Sequence, residues 1–167
     1  MTTNAGVPII RANGEGEKRW WLGGGVHTWK ATVEETGGAF LLFEDLMGRG
    51  KTTPEHCHPE VDETLYVLDG EILVRVGDHD HRVSAGGTVM APRGMPHAFV
   101  VTSETARMLC LQTPGDARAE AFFRDGSEPA AADVDVSGPV DFALVQQSAK
   151  DSGATVILGP PHFDEMT

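Results

Sequence analysis

Basic side chains, cysteines and long apolar runs are all scarce in this chain of 167 residues. Thirteen Lys and Arg stand against 25 Asp and Glu, a formal charge of −12. A surface of that sign repels phosphate backbones, so nucleic acid is not an expected partner. The only cysteines are Cys57 and Cys110, too few for a disulfide framework. No secretory signal is visible, and a reducing cytoplasm is the expected location. No apolar stretch approaches the roughly 20 residues that cross a bilayer, so a membrane is not an expected partner either.

What is present points to a turn-rich β protein. Apolar residues make up 40% of the chain, enough for one domain with its own core, and 20 Gly and 10 Pro break them into short runs. Residues 1–18 read as a polar N-terminal arm, 19–114 as a closely spaced set of strands forming a sandwich or barrel, and 115–167 as C-terminal helices and tail packing on it. Trp20, Trp21 and Trp29 surround a Gly23-Gly24-Gly25 run and are expected to pack over a barrel edge. Strands are expected at 26–33, 39–47, 88–91, 97–102 and 106–113, with turns at Gly37-Gly38, Gly77–Asp80, Ala85-Gly86-Gly87 and Arg93-Gly94. Short helices are expected at 116–124, carrying Phe122 and Phe123, and at 140–150, ending near Gly153, with a loop between them.

Asp69-Gly70 is a strong two-residue turn signal, and it predicts a hairpin over 63–76. In that register Val67 faces Ile72, Leu65 faces Val74 and Glu63 faces Val76. Leu65, Val67, Ile72, Val74 and Val76 then share one apolar face with Glu63, and Thr64, Tyr66, Leu73 and Arg75 share the other. A carboxylate on an inward face needs a partner, and a metal ion is the obvious one.

The supporting ligands lie nearby. His56 and His58 flank Cys57; on a strand the two imidazoles project to the same side about 6.6 Å apart, and Cys57 points away. Pro59 to Asp62 can reverse the chain to bring Glu63 beside them, and the Pro92-Arg93-Gly94 turn places His97. Three imidazoles and one carboxylate suit a divalent transition metal.

These residues fall into two spaced patterns. Gly50, His56, His58, Glu63 and Gly70 match the first motif of the cupin superfamily, and Gly86, Pro92, Gly94 and His97 match the second, with Val101 standing where that motif has asparagine. The chain therefore resembles the cupins. Trp21-Leu22-Gly23, Thr36-Gly37-Gly38-Ala39-Phe40, the Phe122-Phe123 helix and Leu158-Gly159-Pro160-Pro161 resemble bacterial single-domain cupins of the quercetin dioxygenase-like group. The resemblance implies an all-β jelly-roll barrel (a double-stranded β-helix) over 19–114 with one or two short C-terminal helices. It also implies one divalent metal ion per subunit, Fe, Mn, Ni, Co or Zn, held by His56, His58, Glu63 and His97.

Several expectations follow. Leu65, Val67, Ile72, Val74 and Phe99 are expected to line an apolar substrate cavity above the metal. The leading reading is a dioxygenase acting on a small enolic or phenolic, flavonol-like molecule, with Glu63 as both ligand and base. The alternatives are a non-redox isomerase, cyclase, decarboxylase or lyase, and a small-molecule-binding cupin without turnover. His79 and His81, beside Asp78 and Asp80, read as solvated turn residues, and His27 and His162 as structural. Tyr66 and Leu73, paired on the outward face of the hairpin, together with the habit of related cupins, suggest a homodimer.

Overall fold

The computed structural model describes residues 7–21, 23–131, 136 and 140–166. The start of the expected arm, Leu22 and most of the expected loop before the second helix lie outside the described residues. In chain order the strands are β1 (Lys18–Trp21), β2 (Gly25–Ala31), β3 (Leu41–Gly48), β4 (Glu55–Cys57), β5 (Asp62–Asp69) and β6 (Glu71–Val76). They continue with β7 (His79–Ser84), β8 (Thr88–Ala91), β9 (His97–Val101), β10 (Thr105–Thr113), β11 (Ser127–Pro129) and β12 (Val156–Gly159). Helix α1 (Ala117–Asp125) precedes β11, and α2 (Phe142–Ser152) precedes β12.

Two antiparallel sheets face each other as a jelly roll. The larger has the order β11-β1-β2-β3-β10-β5-β8 and the smaller β12-β4-β9-β6-β7. Alternation explains the layer between them: along β5, Glu63, Leu65 and Val67 are buried while Thr64 and Tyr66 are not. Trp29, Phe43, Leu65, Ile72, Phe99 and Met108 belong to the main core, and Trp21, Phe122 and Phe123 close one end of it. No helix among the described residues is long and apolar enough to cross a membrane.

The helices sit where the sequence expects them, shifted by a residue or two. Asp116 caps α1 by accepting from the Arg118 N–H, Asp141 caps α2 by accepting from the Leu144 N–H, and Gly153 ends α2 at φ +66°. The chain after α1 also contributes to both sheets, β11 pairing with β1 and β12 with β4.

The Asp69-Gly70 hairpin requires correction. β5 pairs with β10 and β8 in the larger sheet, whereas β6 pairs with β7 and β9 in the smaller. The turn is therefore a corner at which the chain changes sheets. Gly70 is needed there twice over: its φ is +79°, and a Cβ would lie 2.2 Å from the Thr105 carbonyl oxygen. The expected inward set survives because side-chain parity belongs to each strand alone. The expected Tyr66–Leu73 pair does not form. Tyr66 lies opposite Leu109 and Thr88 and is 44% exposed, whereas Leu73 is buried with Ala98, Val100 and Phe163 of the tail. The pair that suggested a homodimer is thus absent.

Candidate metal centre

Three strands and one turn assemble the four expected ligands. His56 in β4 and His58 just after it are both buried, while Cys57 between them is only half buried. β4 runs antiparallel to β9 with His56 directly opposite His97. The turn before β9 is anchored to the same site, because the Gly94 N–H donates to the His58 carbonyl at 2.8 Å. Glu63 enters from the other sheet, near the start of β5. The ligand atoms of His56, His58, Glu63 and His97 all lie within 4.8 Å of one another, a spacing at which one ion can be shared.

Hydrogen bonds aim the rings. His56 Nδ1 lies 2.8 Å from the Pro54 carbonyl and His97 Nδ1 2.9 Å from that of Met95. A carbonyl only accepts, so both Nδ1 atoms carry the proton and both Nε2 atoms present a bare lone pair to the centre. His58 Nδ1 is held at 3.2 Å by the Thr155 hydroxyl. Glu63 lies 3.1 Å from His58 Nε2 and 3.4 Å from His97 Nε2, and its Oε2 accepts from the Gln112 amide at 2.8 Å. His97 Nε2 is sealed from solvent and makes no hydrogen bond of acceptable geometry. A buried lone pair without a donor, beside two further imidazoles and a carboxylate, fits a divalent metal ion.

The electrostatics of the four groups are set by burial and by one another. Burial, reinforced by the neighbouring His97 and His58, holds the His56 imidazole down to about 3, so it stays neutral. Burial also opposes the charged forms of Glu63 and His97, but their mutual attraction, with that of His58 for Glu63, outweighs it. Glu63 is held well below the usual carboxylate range and His97 above the usual imidazole value.

Comparison with known proteins adds the lineage. Residues 42–112, which contain all four ligands, match the Cupin domain family. The quercetin 2,3-dioxygenase of Bacillus subtilis is 28% identical over 110 residues, 66% of this chain and 32% of that protein. The chain thus spans about a third of that relative's length. Among solved structures, an RmlC-like cupin from Shewanella frigidimarina superposes with a TM-score of 0.59 at 16% identity, covering 66% of this chain and 95% of that one. A predicted oxalate decarboxylase from Thermotoga maritima gives 0.56 at 20% identity, covering 63% and 97%. Residues 42–112 are a Cupin domain on a jelly-roll fold.

In this cupin a cavity of about 60 Å³ adjoins the ligand cluster. His56, His58 and Glu63 form part of its wall, Phe43, Phe99, Phe122 and Phe123 much of the rest, and α2 contributes Phe142 and Val145. Of the five apolar residues expected to line it, Leu65 and Phe99 do so. Val67, Ile72 and Val74 are instead buried in the core and do not reach the cavity.

Sequence reasoning overlooked several groups at this site. Gln112 is fully buried against Glu63, and its parity with Met108 and Cys110 on β10 was the available signal. Thr155 comes from the tail, with no local pattern to mark it. His27, expected to be structural, lines the cavity with Asp45 and Lys51. His79 and His81 lie exposed on β7, and His162 pairs with Asp164 at the surface.

Proposed function

We propose that this cupin is a metal-dependent enzyme of the dioxygenase class that acts on a small enolisable molecule. The observation that carries the reading is the set of three imidazoles and one carboxylate converging beside an apolar, aromatic-walled cavity. His56, His58, Glu63 and His97 hold the ion. A divalent transition metal bound there supplies Lewis acidity and, when redox-active, a route for reaction with molecular oxygen.

The protein's own groups do the rest. Gln112 and Thr155 fix Glu63 and His58 in orientation. The aromatic wall excludes water from a bound substrate. Glu63 stays ionised and can accept a proton from a substrate whose acidity a bound metal ion would raise.

Oxygen consumption tests the reading. Protein reconstituted in turn with Fe, Mn, Ni, Co and Zn is expected to take up oxygen with small 1,3-dicarbonyl compounds for at least one redox-active metal. Turnover of such a compound with every metal but no oxygen uptake replaces this reading with the isomerase, decarboxylase or lyase alternative.

A further inference from the structure

A second polar group lines the same cavity, and the metal reading does not use it. Inward-facing residues of the larger sheet form rows across the strands. One row holds Leu41, Gln112 and Glu63; the next Trp29, Phe43, Cys110 and Leu65; the third His27, Asp45, Met108 and Val67. Asp45 and His27 thus stand two rows from Glu63, about 13 Å along the strands at roughly 3.3 Å per residue. His27 Nε2 lies 3.4 Å from Asp45 Oδ2, and the ring is stacked on Trp21, centroids 5.4 Å apart. Beyond them Lys51 reaches the cavity from the turn after β3.

Lys51 is the anomaly. It is only 8% exposed, and no hydrogen-bond acceptor or ion-pair partner meets its ammonium among the described residues. Burial pulls its amine down to about 8, against the pull of Asp45 in the other direction. At neutral pH it is still mostly protonated, a desolvated cation facing an apolar cavity. Two fully buried atoms lining the same cavity, His27 Nδ1 and Asp45 Oδ1, lack partners among the described residues.

The backbone is shaped around this group. The Gly23-Gly24-Gly25 run packs against three cavity-lining side chains. A Cβ at Gly23 would stand 2.1 Å from the Trp21 indole nitrogen, one at Gly24 3.1 Å from Lys51 Cδ, and one at Gly25 2.7 Å from Asp45 Oδ1. Three consecutive glycines therefore make the room in which Trp21, Lys51 and Asp45 sit.

We propose that Lys51 is the specificity-determining residue of the cavity and that it recognises the anionic end of a short, slender oxo-acid whose carbonyl end faces the ligand cluster. The inference rests on the metal reading. A divalent ion and Lys51 on one side, Glu63 and Asp45 on the other, leave one formal positive charge in an apolar cavity, and a monoanion neutralises it. Lys51 and the ligand cluster line the same cavity, so a molecule with an oxygen function at each end can meet both.

The test uses the zinc-loaded full chain with 4-oxopentanoate and its neutral isostere 4-oxopentanamide, with affinities measured by NMR titration. The acid is expected to bind at least about tenfold tighter than the amide. Lys51→Met should remove most of that preference, change amide affinity less than about twofold, and leave zinc at one per chain. Asp45→Asn, which removes the competing negative charge, should strengthen acid binding severalfold. Equal affinity for acid and amide in the wild type, an undiminished preference in Lys51→Met, or weaker acid binding in Asp45→Asn overturns the proposal. Zinc stoichiometry reports on the metal reading separately. If no zinc binds, that reading falls, and in the metal-free protein the acid must still bind better than the amide, and lose that advantage in Lys51→Met, for Lys51 to keep its role.

Discussion

Two polar clusters share one cavity and solve opposite problems. At His56, His58, Glu63 and His97, lone pairs converge, each ring is oriented by a hydrogen bond from behind, and what is missing is a cation. At Lys51, Asp45 and His27, a cation stands beside a carboxylate without touching it, and what is missing is an anion. The difference teaches that burial of polar groups is not a single signal. The direction in which unsatisfied atoms point, and their sign, states what each cluster is built to receive.

The largest expected effect separates the two outright. His97→Ala or His56→Ala removes a first ligand and should abolish stoichiometric metal binding, read by elemental analysis of protein purified without a metal-affinity column. Full occupancy in both variants would break the assignment. Lys51→Met, by contrast, should leave occupancy unchanged.

The next effect concerns stability and belongs to the Lys51 cluster alone. The unfolded lysine keeps its proton up to about 10.5 and the folded one loses it near 8, so between those values the unfolded state binds more protons. Stability of the wild type should therefore rise with pH across that window, by up to ~3 kcal/mol. Urea unfolding at pH 7.5 and 10 measures the rise, which Lys51→Met should lack. A wild-type curve no steeper than that of the variant would show that the amine is solvated.

A smaller effect sharpens the account of the metal cluster. Gln112→Leu keeps the volume roughly but releases Glu63 from its amide, and metal affinity should fall by about 10–100-fold. Competition with a chelating dye gives the number. An unchanged affinity would mean that Glu63 is oriented by its histidine neighbours without help from Gln112.

Much of the metal cluster was legible in the chain because its members lie within 42 residues of one another and carry a spacing that strand alternation converts into direction. His56 and His58 had to share a face, Cys57 had to leave it, and Glu63 had to sit with Leu65 and Val67. The Lys51 cluster carried no such pattern. His27, Asp45 and Lys51 come from β2, β3 and the turn beyond, and each looks ordinary in its own neighbourhood. Even the three glycines that make space for the cluster stand in the sequence only as a run among tryptophans.

The Asp69-Gly70 corner marks where local reading stops. Turn chemistry determines the backbone angles of a few residues: Gly70 takes a positive φ, whereas Asp69 does not, as a tight two-residue hairpin turn would require of both. Whether the strands on either side pair with each other is a competition among all strands for partners, decided here in favour of β10 and β8 for one and β9 and β7 for the other. The sequence by itself determined which side chains of the β5 and β6 strands face inward, where the two helices lie to within a residue or two, and which four residues gather as a candidate ligand set, because all of these follow from periodicity and short-range geometry. Only the tertiary structure decided which sheet each strand joins, that Gln112 and Thr155 stand behind the candidate ligands, and that a lysine with no partner among the described residues faces the same cavity. Those facts depend on contacts between residues far apart in the chain, and such contacts leave no local pattern to read.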